Sequence, residues 1–240
     1  MADYDLYYWP LPFRGQFIRA ILAFAGKSWT EHDSGEIATL MEQDAAEQPA
    51  PFMGPPVLVD TRTGFAVSQM PAIALYLGDT LGLIPDDPQQ RAFTAKVVND
   101  ANDVIDELTL DGGRQMWTAE KWQDFVPRLQ RWMLIFEATA TRNGVDADSG
   151  HLLGTSEPGV ADIVTSTLWS TMTDRFPTIA RLLDETAPRT AALTRRLQTH
   201  PALAELAQQT RERYGDSYCG GQIEQSLRKV LGALQGAKSS

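Results

Sequence analysis

The feature that most constrains the fold is a change in the spacing of apolar residues near residue 88. Before it, short apolar stretches typical of strands alternate with helical patterns. After it, only helical spacing occurs, interrupted by breakers such as "DGG", "RNG" and "CGG". The pattern predicts a small α/β domain over residues 1–82, followed by an all-α domain over 90–240.

The N-terminal part predicts the order β-α-β-α-β-β-α. Pro10 ends the first strand, Gly26 closes the first helix in a C-cap-like position, and Ser68 is a suitable N-cap for the third helix. The expected strands are 4–9, 28–33, 56–60 and 65–67, and the expected helices are 14–26, 36–48 and 68–83. Beyond them, helices are expected at 88–110, 119–143, 159–174, 177–185, 189–198, 201–213 and 221–235.

Charge and composition exclude several classes of function. The net charge of −10 disfavours nucleic acids and anionic membranes as partners, because both require basic patches. One cysteine excludes an intramolecular disulfide framework, and the three histidines do not have the spacing of a metal site. The N-terminus lacks the charged and apolar regions of a signal peptide, and no stretch has the length of a membrane span. We therefore expect a cytoplasmic protein without a metal.

Four segments of the chain carry a likeness to a known family; in order, they are "YYWPLPFRGQFIRAILAFAG", "PPVLVD", "SQMPAIALYLG" and "GVADI". Through them, nearly the whole chain resembles the cytosolic glutathione transferase family. The likeness is to tyrosine-type or atypical bacterial members. It implies a thioredoxin-like N-terminal domain that binds glutathione, and an all-helical C-terminal domain that forms the second-substrate pocket. It also implies a homodimer with a role in detoxification.

The resemblance implies a tyrosine that stabilises the glutathione thiolate. Tyr8, followed by Trp9 and later by Arg14 and Gly15, is similar to the family's Tyr-Trp…Arg-Gly pattern, with two extra residues between the two pairs. Successive strand residues face opposite sides, so only one of Tyr8 and its alternative, Tyr7, can face the site. We expect Tyr8; packing of either ring in the core remains the alternative.

Other classes of the family place a reactive serine or cysteine in the loop after the first strand. When "LPF" of this chain is aligned on that loop, Leu11 takes the reactive position, and its side chain has no donor group. The loop therefore does not supply the catalytic group in this chain.

The tandem prolines of "PPVLVD" bear on glutathione binding. Pro56 matches the family's cis-proline before the third strand, which exposes the backbone of the preceding residue to the cysteinyl part of glutathione. That preceding residue is Pro55, which has no N–H and removes half of the expected two-point hydrogen bond. We expect weakened glutathione affinity or a changed thiol ligand.

The remaining binding residues are also carried over from the resemblance. Gln69 and Met70 match the helix start that holds the γ-glutamyl carboxylate, but methionine stands in place of the usual serine. Arg14 is a further candidate for an acidic ligand, and Asp103 is a candidate to reach the glutathione amine across a dimer.

In "GVADI", Asp162 is expected to cap its helix and has no catalytic role.

Two main interpretations of function follow. In the first, the protein conjugates glutathione to a small apolar electrophile, in a pocket for which Met116, Trp117, Trp122 and Phe125 are candidates if they are not core residues. In the second, it is a non-catalytic relative that binds an apolar ligand or a protein partner through the same cleft. Thiol chemistry on Cys219 is disfavoured, because no nearby base or cation is evident.

Overall fold

The N-terminal part contains a four-stranded mixed sheet. The structure is a computed structural model that describes residues 2–236. The strands are β1 (Tyr4–Tyr7), β2 (Trp29–His32), β3 (Val57–Asp60) and β4 (Ala66–Ser68). They lie in the order β2-β1-β3-β4, with β2 parallel to β1 and with β3 antiparallel to both β1 and β4.

Three helices connect or follow these strands: α1 (Phe13–Phe24), α2 (Ser34–Glu42) and α3 (Met70–Thr80). The order β-α-β-α-β-β-α is therefore confirmed. Gly26 lies just past α1 with φ 64°, a left-handed conformation that glycine adopts without steric cost, as expected for its role at the helix end. Helix α2 is shorter than expected and ends at Glu42.

Ser68 does not cap the third helix, so that prediction was wrong. Ser68 is the last residue of β4 and pairs with Val57, and Gln69 is the residue that precedes the helix. Gln69 has φ 74°, and its side chain makes no capping hydrogen bond. The strand thus extends one residue further than the sequence indicates, and the reversal into α3 occurs entirely at Gln69.

From residue 88 onward, helices are the only regular secondary structure in the described part of the chain. They are α4 (Pro88–Leu108), α5 (Leu110–Gly113), α6 (Ala119–Arg142), α7 (Val160–Thr173), α8 (Pro177–Thr186), α9 (Pro188–Gln198), α10 (Pro201–Tyr214) and α11 (Gly221–Gly236). Four of them begin with a proline, which has no N–H to leave unpaired in the first turn. The short α5 was not expected; Asp111 and Gly112 within it have left-handed backbone angles.

Helix α7 lies at the centre of the molecule. Its residues from Val160 to Met172 are all buried, and it packs against α1, α4 and α9. Asp162 caps it as predicted, because its carboxylate accepts the N–H of Gly159 at 3.0 Å and that of Leu152 at 2.7 Å. The contact between α1 and α7 joins the sheet-bearing part to the helical part through one hydrophobic core.

Gly159, the residue that precedes α7, is closely approached by the backbone of another segment. A Cβ added to Gly159 would lie 2.7 Å from the carbonyl oxygen of Leu83. The same carbonyl accepts the N–H of Val160 at 3.0 Å. The segment before α4 therefore passes too close to the start of α7 for any side chain at this position.

Candidate glutathione site

Tyr8 follows β1 directly and lies in the interior, with 3% of its surface exposed. Its hydroxyl oxygen accepts the backbone N–H of Arg14 at 3.0 Å. The ring lies over Gly15, where an added Cβ would be 2.3 Å from Cδ1 of Tyr8. The first turn of α1 thus fixes both the ring and the hydroxyl of Tyr8.

The hydroxyl of Tyr8 is protonated at neutral pH. Burial raises its pKa to about 12, although the positive charges of Arg14 and Arg19 and the N–H of Arg14 act in the opposite direction. Because the bond to Arg14 uses the oxygen as acceptor, the O–H remains available as a donor. Tyr8 is therefore suited to donate a hydrogen bond to an anion.

Tyr7 has a different environment. Its ring stacks on the imidazole of His32, with centroids 4.0 Å apart and an interplanar angle of 10°. The Nδ1 atom of His32 lies 3.0 Å from Glu36, and its Nε2 atom lies 3.3 Å from Asp5. Burial raises the pKa of Tyr7, and the charges of Asp5 and Glu36 raise it further. Tyr7 is thus part of an aromatic and ionic cluster that does not include Tyr8.

The peptide bond between Pro55 and Pro56 is cis. Pro56 is buried and leads directly into β3, and its carbonyl accepts the N–H of Gln69 at 3.3 Å. This bond joins the proline turn to the start of α3. The structure therefore brings together Pro55, Pro56, Gln69 and Met70, four of the residues singled out from the sequence.

The start of α3 has few groups to offer a carboxylate. The side chain of Met70 is completely buried in the core, and Pro71 has no N–H. The N–H groups of Met70 and Ala72 lie in the first turn, where a helix has no acceptors of its own for such groups. Gln69 is exposed beside them. An acidic ligand could be held here by backbone amides and by the Gln69 side chain.

Arg14 connects two helices. Its Nη2 atom lies 2.9 Å from Asp106, and its Nε atom donates to Asn102 at 3.3 Å, so that α1 is tied to α4. Asp103 lies on the same helix but is exposed. Partial loss of water raises the pKa of Asp103, and the neighbouring carboxylates, above all Asp100, raise it further. Among the described hydrogen bonds and ion pairs, none joins Asp103 to another candidate residue.

The proposed pocket residues form a core cluster. Trp117, Trp122 and Phe125 are each at most 9% exposed and have ring centroids 5.1 to 6.1 Å apart. The indole N–H of Trp117 donates to the carbonyl of Leu108 at 3.0 Å. Met116 packs against the core at the edge of this cluster. These contacts favour the core role that the sequence left open.

No pattern in the sequence indicates that the C-terminal segment contributes here. Leu11 lies against Gly220, where an added Cβ would be 3.2 Å from Cδ2 of Leu11. Tyr218 makes an edge-on contact with Phe13, the first residue of α1. No local motif marks Tyr218, which is more than 200 residues from Tyr8 in the sequence.

Two further properties of the described residues bear on function. Within residues 2–236, no group of three or more His, Cys, Asp or Glu side chains is arranged to hold a metal ion. None of the helices in this part of the chain is long and apolar enough to cross a membrane.

Solved structures similar to this chain include several glutathione S-transferases. A monomeric enzyme from the hookworm Necator americanus is 21% identical, with a TM-score of 0.69 over 86% of this chain and 97% of its own. A Pi-class enzyme from Onchocerca volvulus is 15% identical, with a TM-score of 0.72 over 92% and 99%. Prostaglandin synthase D of Nilaparvata lugens is 20% identical, with a TM-score of 0.66 over 86% and 97%.

These likenesses show a thioredoxin-like N-terminal domain and a helical C-terminal domain. No curated protein matches the sequence. Residues 93–230, more than half of the chain, match the family model described as "Glutathione S-transferase, C-terminal domain". The chain therefore belongs to the glutathione S-transferase family.

Proposed function

We propose that this protein conjugates the thiol of glutathione to a small apolar electrophile. The observation that carries the proposal is the neutral hydroxyl of Tyr8. Its oxygen accepts the backbone N–H of Arg14, and its own O–H remains available as a donor. A hydrogen bond from this O–H to sulfur stabilises the thiolate relative to the thiol and lowers the thiol pKa. The thiolate is the reactive nucleophile.

In the conjugation step with an aryl halide, the thiol proton passes to solvent and the sulfur forms a bond to the ring carbon. The halide leaves with the electron pair of the carbon–halogen bond. Tyr8 remains neutral throughout and acts as a hydrogen-bond donor to sulfur, because its pKa of about 12 makes it a poor base at neutral pH.

Glutathione binding is proposed to be weak. Pro55 offers a carbonyl but no N–H to the cysteinyl backbone, and the loss of one typical hydrogen bond costs about 1 kcal/mol. Met70 contributes no side-chain donor to the γ-glutamyl carboxylate, because its side chain lies in the core. The segment 28–61 contains no Lys or Arg to pair with the glycine carboxylate.

The same departures support a second candidate function, a non-catalytic protein of this family that binds an apolar ligand or a protein partner. In that case the buried Tyr8 is a core residue. Thiol chemistry on Cys219 is a weaker candidate, since burial and the Glu224 charge together raise the pKa of that thiol to about 12. A thiol with such a pKa is almost entirely protonated at neutral pH.

We further propose a cytoplasmic homodimer with a detoxifying role, an N-terminal domain of residues 1–82 and a helical domain of residues 90–240. Apolar side chains on the surface support the dimer: Met53 is 91% exposed, Phe93 56% and Phe65 48%. Sedimentation of the purified protein tests the dimer, and a monomer at micromolar concentration contradicts it.

Two measurements on the wild-type protein test the function. Calorimetry gives the affinity for glutathione, and the conjugation of an aryl halide gives the rate above the uncatalysed reaction. We expect turnover together with an affinity weaker than micromolar. Tight micromolar binding would contradict the weakened site, and binding of apolar ligands without any conjugation would favour the non-catalytic alternative.

A further inference from the structure

A small, largely enclosed cavity lies between α1, α7 and α10. None of the residues that line it belongs to the candidate glutathione site. Three of them, Thr167, Ser170 and Thr171, have the spacing of one helix face on α7. They are 3%, 8% and 8% exposed. The central helix therefore turns a row of hydroxyl groups towards a space inside the protein.

These three hydroxyls have no hydrogen-bond partner among residues 2–236. Ser170 and Thr171 accept hydrogen bonds only through their backbone carbonyls. Elsewhere in the helical part a buried threonine hydroxyl donates to the carbonyl one turn earlier, as Thr194 does to Thr190 at 2.8 Å. A buried hydroxyl without any partner is unfavourable, so the α7 hydroxyls require a polar group from outside the chain.

The opposite wall of the cavity is also polar. The Nε2 atom of Gln16, on α1, donates to the hydroxyl of Thr210, on α10, at 3.0 Å, and that hydroxyl lies 3.3 Å from Oε1 of Gln16. Both residues are buried. Because a side-chain amide has two N–H donors and two lone pairs on its oxygen, this pair leaves one donor and one acceptor position of Gln16 unused.

The size of the cavity limits what it can hold. It offers about 30 Å³ to the centres of water molecules, and one buried water requires about 10–15 Å³ of such space. There is room for about two waters, far less than the roughly 300 Å³ or more of a typical pocket for an organic ligand.

Charged residues lie at the end of the cavity where α7 ends. Asp174, Arg175 and Arg211 line it there. The Nη2 atom of Arg211 lies 3.8 Å from Oδ2 of Asp174, and both side chains are exposed. This ion pair separates the cavity from solvent on that side, and an exposed pair of this kind is weak enough to open for water exchange.

We propose that the cavity is a hydration site, in which two water molecules link the hydroxyls of α7 to Gln16 of α1. The three hydroxyls and the two unused positions of Gln16 offer enough partners for two waters that bond to each other and make about three hydrogen bonds each. The waters join the sheet-bearing part to the helical part at a place where direct hydrogen bonds are missing. This inference does not depend on the proposed function, because the groups that bind water lie outside the candidate glutathione site.

A high-resolution crystal structure of the wild type tests the site directly. We expect two ordered waters in the cavity, about 2.7–3.2 Å from the α7 hydroxyls and from the side-chain amide of Gln16. A cavity without ordered water, or water that contacts none of the three hydroxyls, would overturn the inference.

Thr171→Val tests the same site in solution, because valine keeps the shape of the side chain and removes the hydroxyl. If the hydroxyl binds water, its loss should lower the melting temperature by about 2–4 °C. In a dry cavity, the same change removes an unpaired polar group. The melting temperature would then stay the same or rise, and either result would overturn the inference.

Thr141→Val is the matched control. Thr141 is exposed on α6, and its hydroxyl has no partner in the described part of the chain. Its melting temperature should equal that of the wild type. A fall in the melting temperature of Thr171→Val together with a dry cavity in the wild-type crystal would show a packing effect and would also overturn the inference.

Discussion

Gly15 provides the surface on which the ring of Tyr8 lies. A Cβ added to Gly15 would be 2.3 Å from Cδ1 and 2.8 Å from Cγ of Tyr8, shorter than any tolerable contact. The preceding residue, Arg14, holds the hydroxyl of the same tyrosine through its backbone N–H. Two consecutive residues of α1 thus position the side chain to which we assign the chemistry.

Gly15→Ala should disturb Tyr8 directly. The added methyl group requires the ring or the helix to move, and overpacking of this kind costs about 1–3 kcal/mol of unfolding free energy. Conjugation should fall by about tenfold or more, since the hydroxyl loses its alignment with the sulfur. Urea unfolding and aryl halide kinetics measure both effects. Gly232→Ala is the control, because an added Cβ there meets nothing within 4 Å; equal behaviour of the two variants would contradict this account.

Pro55→Ala should strengthen glutathione binding. The substitution restores a backbone N–H beside the ligand, which is worth about 1 kcal/mol, or about a fivefold lower Kd. Calorimetry with glutathione measures the change. Pro51→Ala, in the same exposed loop, should leave Kd as in the wild type. An unchanged or weaker affinity in Pro55→Ala would show that the missing N–H does not limit binding.

His32→Gln should destabilise the protein mainly at low pH. Burial lowers the pKa of His32, but the hydrogen bonds and charges of Glu36 and Asp5 outweigh it and raise the pKa. A raised native pKa gives stability that is fully present below the unfolded value of about 6.5 and is lost as the pH rises through the native pKa.

The test compares urea unfolding of the wild type and His32→Gln at about pH 5.5 and about pH 9. We expect the wild-type advantage to be larger at the lower pH by about 0.5–1 kcal/mol, a modest value because Glu36 is more than half exposed. His151→Gln is the control from outside this cluster. An advantage that grows with pH would have the wrong sign for this arrangement.

Cys219 should be nearly unreactive in the native protein. Burial and the nearby Glu224 carboxylate raise the pKa of its thiol to about 12. Alkylation by iodoacetamide at about pH 8 should therefore be slow in buffer and fast in denaturant. Cys219→Ala should keep its conjugation rate. Rapid native-state labelling would restore thiol chemistry as a candidate function.

The sequence predicts the order of elements well where local signals act alone. Pro88, Pro177 and Pro201 each begin a helix as the breaker pattern indicates. Ser68 failed as a cap because its pairing with Val57 outweighs its capping propensity. The short α5 escaped prediction because left-handed angles at Asp111 and Gly112 leave no periodic pattern.

The candidate site is less predictable, because its parts come from distant segments. Alternation along a strand separates Tyr7 from Tyr8 but does not say which ring enters the interior. That is decided by Gly15, which leaves room for the Tyr8 ring, and by His32, on which Tyr7 stacks. The position of Tyr218 against Phe13 depends on Glu224, which accepts the backbone N–H of Tyr218, and on long-range packing; no local pattern encodes either.

The most direct test of the central claim is the pKa of the glutathione thiol in complex with the wild type and with Tyr8→Phe, followed by the ultraviolet absorbance of the thiolate against pH at saturating glutathione. In the wild type we expect a pKa at least about one unit below the free value of about 8.5, and in Tyr8→Phe a return towards that value. Tyr7→Phe should behave as the wild type. An identical bound-thiol pKa in the wild type and Tyr8→Phe would contradict the role assigned to Tyr8.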